Sequence, residues 1–193
     1  MAEIYAISDD MLMPENLALQ YTREILECGV KFFQFRSKKE PKNEKIASEI
    51  FNLCEKFGAR FIVNDDIFFA ARIGAKSVHL GKDASIKEAY EILGNDSYVG
   101  VSCYDSLDLA IKAKQNGASY VAFGAMFKSP TKPNAPLCSH ETVLQAKKLG
   151  ACVCVIGGIN ASNISNVARL KPDMIAIISA IYKDGMIKSC LLY

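Results

Sequence analysis

Eight short runs of β-forming, apolar residues alternate with seven longer amphipathic segments along this chain, and that alternation constrains the fold more than any other feature. The runs fall at 4–7, 32–35, 60–63, 77–79, 98–101, 120–123, 152–156 and 174–178. The helical segments fall between them, at 16–28, 43–57, 67–73, 86–93, 106–116, 141–149 and 162–170. Gly29, Gly58, Gly74, Gly94, Gly117 and Gly150 each stand just past a helical segment, where a left-handed cap costs glycine least. Strands joined by helical crossovers are parallel and the crossovers right-handed. Eight such strands favour closure into a (β/α)₈ TIM barrel over an open doubly wound sheet. At 193 residues the barrel is short, and the tail after Ile181 leaves room only for a truncated last helix. The chain 1–193 is expected to form a single domain, because half of it is hydrophobic and no low-complexity segment or linker interrupts it.

Charge narrows the partners. With 23 basic against 21 acidic residues the chain carries only +2, so no global field recruits nucleic acid or an anionic membrane, and an anion must be gripped locally. No apolar run approaches the roughly 18 residues of a membrane span, and the N-terminus meets Glu3, Asp9 and Asp10 before any secretory apolar run. Seven cysteines without CxxC spacing, most inside apolar stretches, read as buried free thiols in a reducing compartment. The expectation is a cytoplasmic protein whose partners are small phosphorylated molecules, with association into a homo-oligomer left open.

Active sites of such barrels sit at the C-terminal ends of the strands. Those ends carry Ser8 and Asp9; Gln34, Arg36 and Lys38; Asn64 and Asp65; His79; Ser102; Gly124; Gly157 and Gly158; and Ser179. Nearly all are polar or glycine, while the strands that feed them are apolar. Gln34, Arg36 and Lys38 alternate out of a strand and are expected to project the same way. Two cations and an amide there suit a pyrophosphate; the bland alternative is a solvated basic loop continued by Lys39 and Lys42. Asp65 pairs with those cations, holds Mg²⁺ on phosphate oxygens, or does both. The loop at 123–136, FGAMFKSPTKPNAP, is too long for a tight connection and offers Ser129, Thr131 and Lys132. Alone, its SPTKP also reads as a phosphorylatable surface turn. Gly157 and Gly158 close the seventh strand, and IISA at 177–180 closes the eighth, the places where barrels commonly hold a phosphate. His79 and His140 are the only histidines and lack a partner for nucleophilic or zinc chemistry, so His79 is expected to be structural.

The ordered set YAISDD, QFRSK, FIVNDD, VHLG, VGVS, FGAMFKSPTK, VIGGIN and ISA resembles the thiamine phosphate synthase family over almost the whole chain. The resemblance implies an enzyme that joins hydroxymethylpyrimidine pyrophosphate to a thiazole phosphate, releases pyrophosphate and uses Mg²⁺. It implies that Gln34, Arg36, Lys38, Asn64, Ser102 and Lys132 contact the pyrimidine pyrophosphate. Of these, Arg36, Lys38 and Lys132 would be catalytic. Ser129, Pro130, Thr131, Gly158, Ile178 and Ser179 would form the thiazole-phosphate pocket, joined by Gly157 from the fold argument. Asp65 would be a Mg²⁺ ligand. The second ligand is displaced in this sequence: HLGKDAS puts Lys82 where the family has Gln, Asp83 one place early and Ala84 where the Asp belongs. Tyr104 replaces a common His, Ser129 replaces the first Thr of the TxTK loop, and Ser139 stands where a glycine usually follows that loop. The alternatives are the sister thiazole tautomerase, which uses a His at the position of Tyr104, and a non-catalytic phosphate-ligand-binding regulatory protein of the same fold.

Overall fold

A computed structural model describes residues 2–129 and 135–182. The eight strands are parallel and close into a barrel in sequence order, with β1 (Glu3–Ile7) and β8 (Met174–Ile177) paired to complete the ring. Between them run β2 (Phe32–Phe35), β3 (Arg60–Asn64), β4 (Ser77–Leu80), β5 (Tyr98–Tyr104), β6 (Tyr120–Phe123) and β7 (Val153–Ile156). The helices are α1 (Ala18–Glu27), entered through a 3₁₀ turn at Glu15–Leu17, α2 (Glu44–Lys56), α3 (Ile67–Arg72), α4 (Ile86–Leu93), α5 (Leu107–Gln115), α6 (His140–Lys148) and α7 (Ile164–Ala168). The expected helix starts hold because local chemistry sets them. Asn43, Asp66, Ser85, Ser106 and Ser139 each cap a helix by accepting a hydrogen bond from a first-turn backbone N–H.

Two departures matter for function. β5 continues to Tyr104 through an irregularity between Ser102 and Tyr104, where the alternation of its side chains breaks and apolar patterning alone ends the strand at Val101. The seventh helix shrinks to five residues, because Asn160 and Asn163 hold 158–163 as a loop: Asn163 donates to the Gly158 carbonyl at 2.9 Å and accepts from Asn160 N–H at 2.9 Å. The expected truncated eighth helix lies outside the described residues.

Alternation along each strand produces two cores. Phe33, Phe35, Phe61, Val63 and Val78 face outward and bury against the helices, where truncating fully buried Phe33 to Ala would cost about 3–5 kcal/mol. Tyr5, Ile7, Ile62, Tyr120, Cys154 and Met174 face inward and fill the barrel. Branched aliphatic residues usually dominate such an interior; here Ile7 and Ile62 share it with an aromatic column. Arg60 lies over the Tyr98 ring at 4.4 Å, Tyr98 stacks on Tyr120 at 5.4 Å, and Tyr120 stacks on His79 at 5.6 Å. Gly100, paired directly with Tyr120 across β5 and β6, makes room for that ring: a Cβ at Gly100 would sit 2.0 Å from it. Cys54, Cys103, Cys138 and Cys154 are buried free thiols. Among the described residues no helix is long and apolar enough to cross a membrane.

Candidate active site at the barrel mouth

The loop after β1 clasps the loop after β2. Ser8 Oγ accepts from Arg36 N–H at 2.7 Å and donates to the Arg36 carbonyl at 3.2 Å, while the Asp10 carboxylate accepts from Lys38 N–H at 2.6 Å. Asp9 uses Oδ1 to accept from the N–H groups of Met11 and Leu12, and Oδ2 to hold the Arg36 guanidinium at 3.3 Å. The acidic pair of YAISDD therefore aims the two cations. One of the five guanidinium N–H donors goes to Asp9, and among the described residues the others are available for an anion.

Gln34, Arg36 and Lys38 do not share one environment, contrary to the alternation. Gln34 is 2% exposed and points into the barrel, where its Nε2 donates to Tyr5 Oη at 2.6 Å. Arg36 and Lys38 lie past the strand end, on the rim. Lys38 Nζ stands 3.5 Å from Asp65 Oδ2, both side chains more than half exposed, so this is a weak pair that a ligand can displace. Lys42, read from sequence as part of a solvated run, is instead largely buried between Glu40 and Asp66, with the Phe69 ring beneath it. Both carboxylates hold its ammonium pKa above the usual lysine value against the opposing cost of burial.

Asp65 adopts a left-handed backbone, φ 61°, fixed by its N–H donating to the His79 carbonyl at 2.8 Å. Tyr104 at the end of β5 does the same, φ 54°. Left-handed conformations of non-glycine residues cost about 1 kcal/mol or more and concentrate at functional sites. The Asp65 carboxylate spends Oδ2 on Asn64 Nδ2, at 2.6 Å, and on Lys38. Oδ1 has no partner among the described residues and faces Gly81, where even an added Cβ would stay 3.9 Å away. A hard, open carboxylate oxygen with room beside it suits Mg²⁺.

Asp83 is placed elsewhere. Its side chain is 84% exposed and its Oδ1 lies 3.1 Å from Lys82 Nζ. The mouth cleft, about 460 Å³, is lined by Lys38, Lys42, Asn64 and Asp65 together with Ala84 and Glu88. Glu88, one helical turn after Ala84, makes no side-chain hydrogen bond or ion pair among the described residues. No group of three or more His, Cys, Asp or Glu side chains among those residues is placed to hold a metal ion. A groove of about 330 Å³ between α1 and α2, among Leu19, Arg23, Glu49 and Lys56, lies on the flank and holds none of the predicted site residues.

On the opposite side of the mouth, Gly157 and Gly158 lie under the long loop after β6. Met126 and Phe127 N–H groups donate to the carbonyls of Ile156 and Gly157, both at 2.9 Å. A Cβ on Gly158 would stand 2.6 Å from the Phe127 carbonyl oxygen, and its φ is 65°. The glycine pair thus lets the loop that carries Ser129 cross close above it. Ile178 and Ser179 follow β8 in a turn, and β8 pairs with β7, the strand that leads into these glycines. Pro130, Thr131 and Lys132 lie outside the described residues. Ser139 caps α6, and its N–H donates to Asp105 at 2.9 Å.

His79, Ser102 and Asn64 complete the floor. His79 Nε2 lies 2.9 Å from Ser102 Oγ and its Nδ1 lies 2.9 Å from Tyr120 Oη, which is 2.9 Å from Tyr5 Oη. Burial pushes the imidazole pKa down to about 4, against a smaller opposing pull from Asp65, so the ring is neutral at physiological pH. Sequence reading missed Tyr5, Gly100, Tyr120 and Glu88. Gly100, a glycine inside a strand of β-branched residues, is the sequence signal of a close approach, here by the Tyr120 ring.

A closed parallel barrel with two cations, an open carboxylate and hydroxyl and amide groups at its C-terminal mouth defines an enzyme of the phosphate-handling barrel class. The chain matches the thiamine monophosphate synthase family over residues 4–181, and it belongs to that family. It is 39% identical to the thiamine-phosphate synthase of Thioalkalivibrio sulfidiphilus over 183 residues, 93% of this chain and 87% of that one. It is 41% identical to that of Chromobacterium violaceum over 182 residues, with the same coverage. The solved thiamine phosphate pyrophosphorylase from Pyrococcus furiosus superposes with a TM-score of 0.86 at 30% identity, covering 98% of this chain and 91% of that one.

Proposed function

We propose that this protein is a thiamine-phosphate synthase, joining hydroxymethylpyrimidine pyrophosphate to a thiazole phosphate with release of pyrophosphate. Family membership across the barrel carries this reading. The tautomerase alternative needs a His where Tyr104 stands, and the open Asp65 carboxylate beside Lys38 favours catalysis over binding alone.

The C–O bond of the pyrimidine methylene breaks with its electron pair leaving on pyrophosphate, and the thiazole nitrogen lone pair captures the resulting cation. Arg36 and Lys38, with Lys132 from the long loop, would donate to the departing pyrophosphate as its charge grows. Asn64 would hold the pyrimidine ring and Ser102 would donate to the pyrophosphate, whereas Gln34, expected from the sequence as a further contact, is buried with its amide on Tyr5 and would act through that bond. Ser129, Pro130, Thr131, Gly157, Gly158, Ile178 and Ser179 would hold the thiazole phosphate. Mg²⁺, when bound, neutralises pyrophosphate charge, and Asp65 would hold it through Oδ1. A second carboxylate would come from Asp83 if residues 82–84 turned over, or from Glu88, which lines the same cleft as Asp65. Incubation with both substrates and Mg²⁺ tests the assignment: thiamine phosphate and pyrophosphate should appear in equal amounts, and their absence overturns it.

A further inference from the structure

Four hydrogen bonds run in series from the centre of the barrel to its mouth: Gln34 to Tyr5 at 2.6 Å, Tyr5 to Tyr120 at 2.9 Å, Tyr120 to His79 at 2.9 Å, and His79 to Ser102 at 2.9 Å. The members come from five different strands, and the inward rings of the aromatic column hold them in place. Burial drives both phenol pKa values far above the usual tyrosine value, so each phenol keeps its single hydrogen. The neutral imidazole also has one N–H. A chain of single-hydrogen groups can satisfy every link only if all point the same way.

We propose that this series is a polarised relay in which Gln34, Tyr5, Tyr120 and His79 act as positioning residues, fixing the Ser102 hydroxyl as a hydrogen-bond donor to the substrate. The Gln34 amide donates to Tyr5, which spends its hydrogen on Tyr120, which spends its own on His79 Nδ1. The imidazole hydrogen must then sit on Nε2, where it fills a lone pair of Ser102 Oγ. Only the Ser102 hydrogen is left over, and it faces the mouth. The opposite polarity requires the Gln34 amide turned over and leaves Ser102 with lone pairs alone to offer, unsuited to a leaving pyrophosphate. The relay's effect on turnover rests on the synthase reading; its polarity does not.

The chain has only two histidines, so ¹⁵N-histidine labelling reads the tautomer directly. His79 is expected as the neutral Nε2–H form at neutral pH, shifting toward Nδ1–H in Tyr120→Phe. A Nδ1–H form, or an imidazolium, in the unsubstituted protein overturns the proposal. Kinetically, Tyr120→Phe should lower kcat on the order of tenfold, the equivalent of one hydrogen bond, with little change in the pyrimidine KM. The double variant with Ser102→Ala should lose no more than Ser102→Ala alone. Additive losses would mean that Tyr120 only supports packing, and would overturn the relay. Should Tyr120→Phe fail to fold, the tautomer of the unsubstituted protein still decides. Absence of synthase turnover in that protein overturns the function and leaves the tautomer result standing.

Discussion

Gly100 shows how much of this site depends on an atom that is missing. An added methyl would meet the Tyr120 ring at 2.0–2.4 Å, and that ring is pinned between Tyr98 and His79. Gly100→Ala should therefore destabilise the protein by about 1–3 kcal/mol, the usual cost of overpacking a core, measured by urea denaturation. Gly81→Ala, which meets only a carboxylate oxygen at 3.9 Å, should change stability far less. Equal effects would mean that the column is loose. On the rim, Arg36→Ala should cut turnover on the order of 10²-fold while leaving the melting temperature nearly unchanged. At this scale the sequence was legible where the chemistry is carried by charge. Arg36, Lys38 and Asp65 are visible as polar residues ending apolar strands. Tyr5 and Tyr120 were not, because a tyrosine in a strand reads as core until its hydroxyl partner, 115 residues away, is known.

The connecting elements carry more of the site than their composition suggests. The glycine pair after β7 was read as a phosphate cradle; its backbone also lies beneath the loop of 125–128, which it bonds. Gly158→Ala should raise the KM for the thiazole phosphate and also make the loop after β6 more susceptible to protease, with the pyrimidine KM much less affected. Loss of affinity without loop opening would leave the pocket reading and remove the packing one. The start of α4 poses the second question. Asp65→Ala should raise the Mg²⁺ concentration for half-maximal activity. The same titration on Asp83→Ala and Glu88→Gln shows which carboxylate joins it, since only the true ligand moves the midpoint. Helix starts were legible because a Ser, Asn or Asp cap precedes each of α2 to α6 within reach of its first turn. The seventh helix was not, because side chains of Asn160 and Asn163 that bond backbone compete with helical turns.

The barrel as a whole could be read from alternation alone, since apolar runs separated by amphipathic segments leave few ways to bury both faces of a sheet. What alternation does not encode is the filling of the interior, and there the buried histidine makes stability depend on pH. An unfolded histidine takes up a proton as pH falls through its ordinary value of 6.5, whereas folded His79 stays neutral down to about 4. Between those values the unfolded chain binds more protons, so stability falls as pH drops across that window and is fully present above it. His79→Gln should flatten this slope, measured by urea denaturation at several pH values between about 4 and 7. An unchanged slope would show that the ring is protonated in the folded state.

Ring closure by the first and last strands has a consequence for how the protein comes into being. β1 leaves the ribosome early, but its outer partner, β8, is made about 170 residues later, and Tyr182 then bonds the Ile7 carbonyl to seal the seam. Until β8 is available, the edges of β1 and β7 that it pairs with have no partner strand. Contacts so distant along the chain are intrinsically slow to form. Closure therefore waits for β8, the strand that turns a curved sheet into a vessel with a mouth.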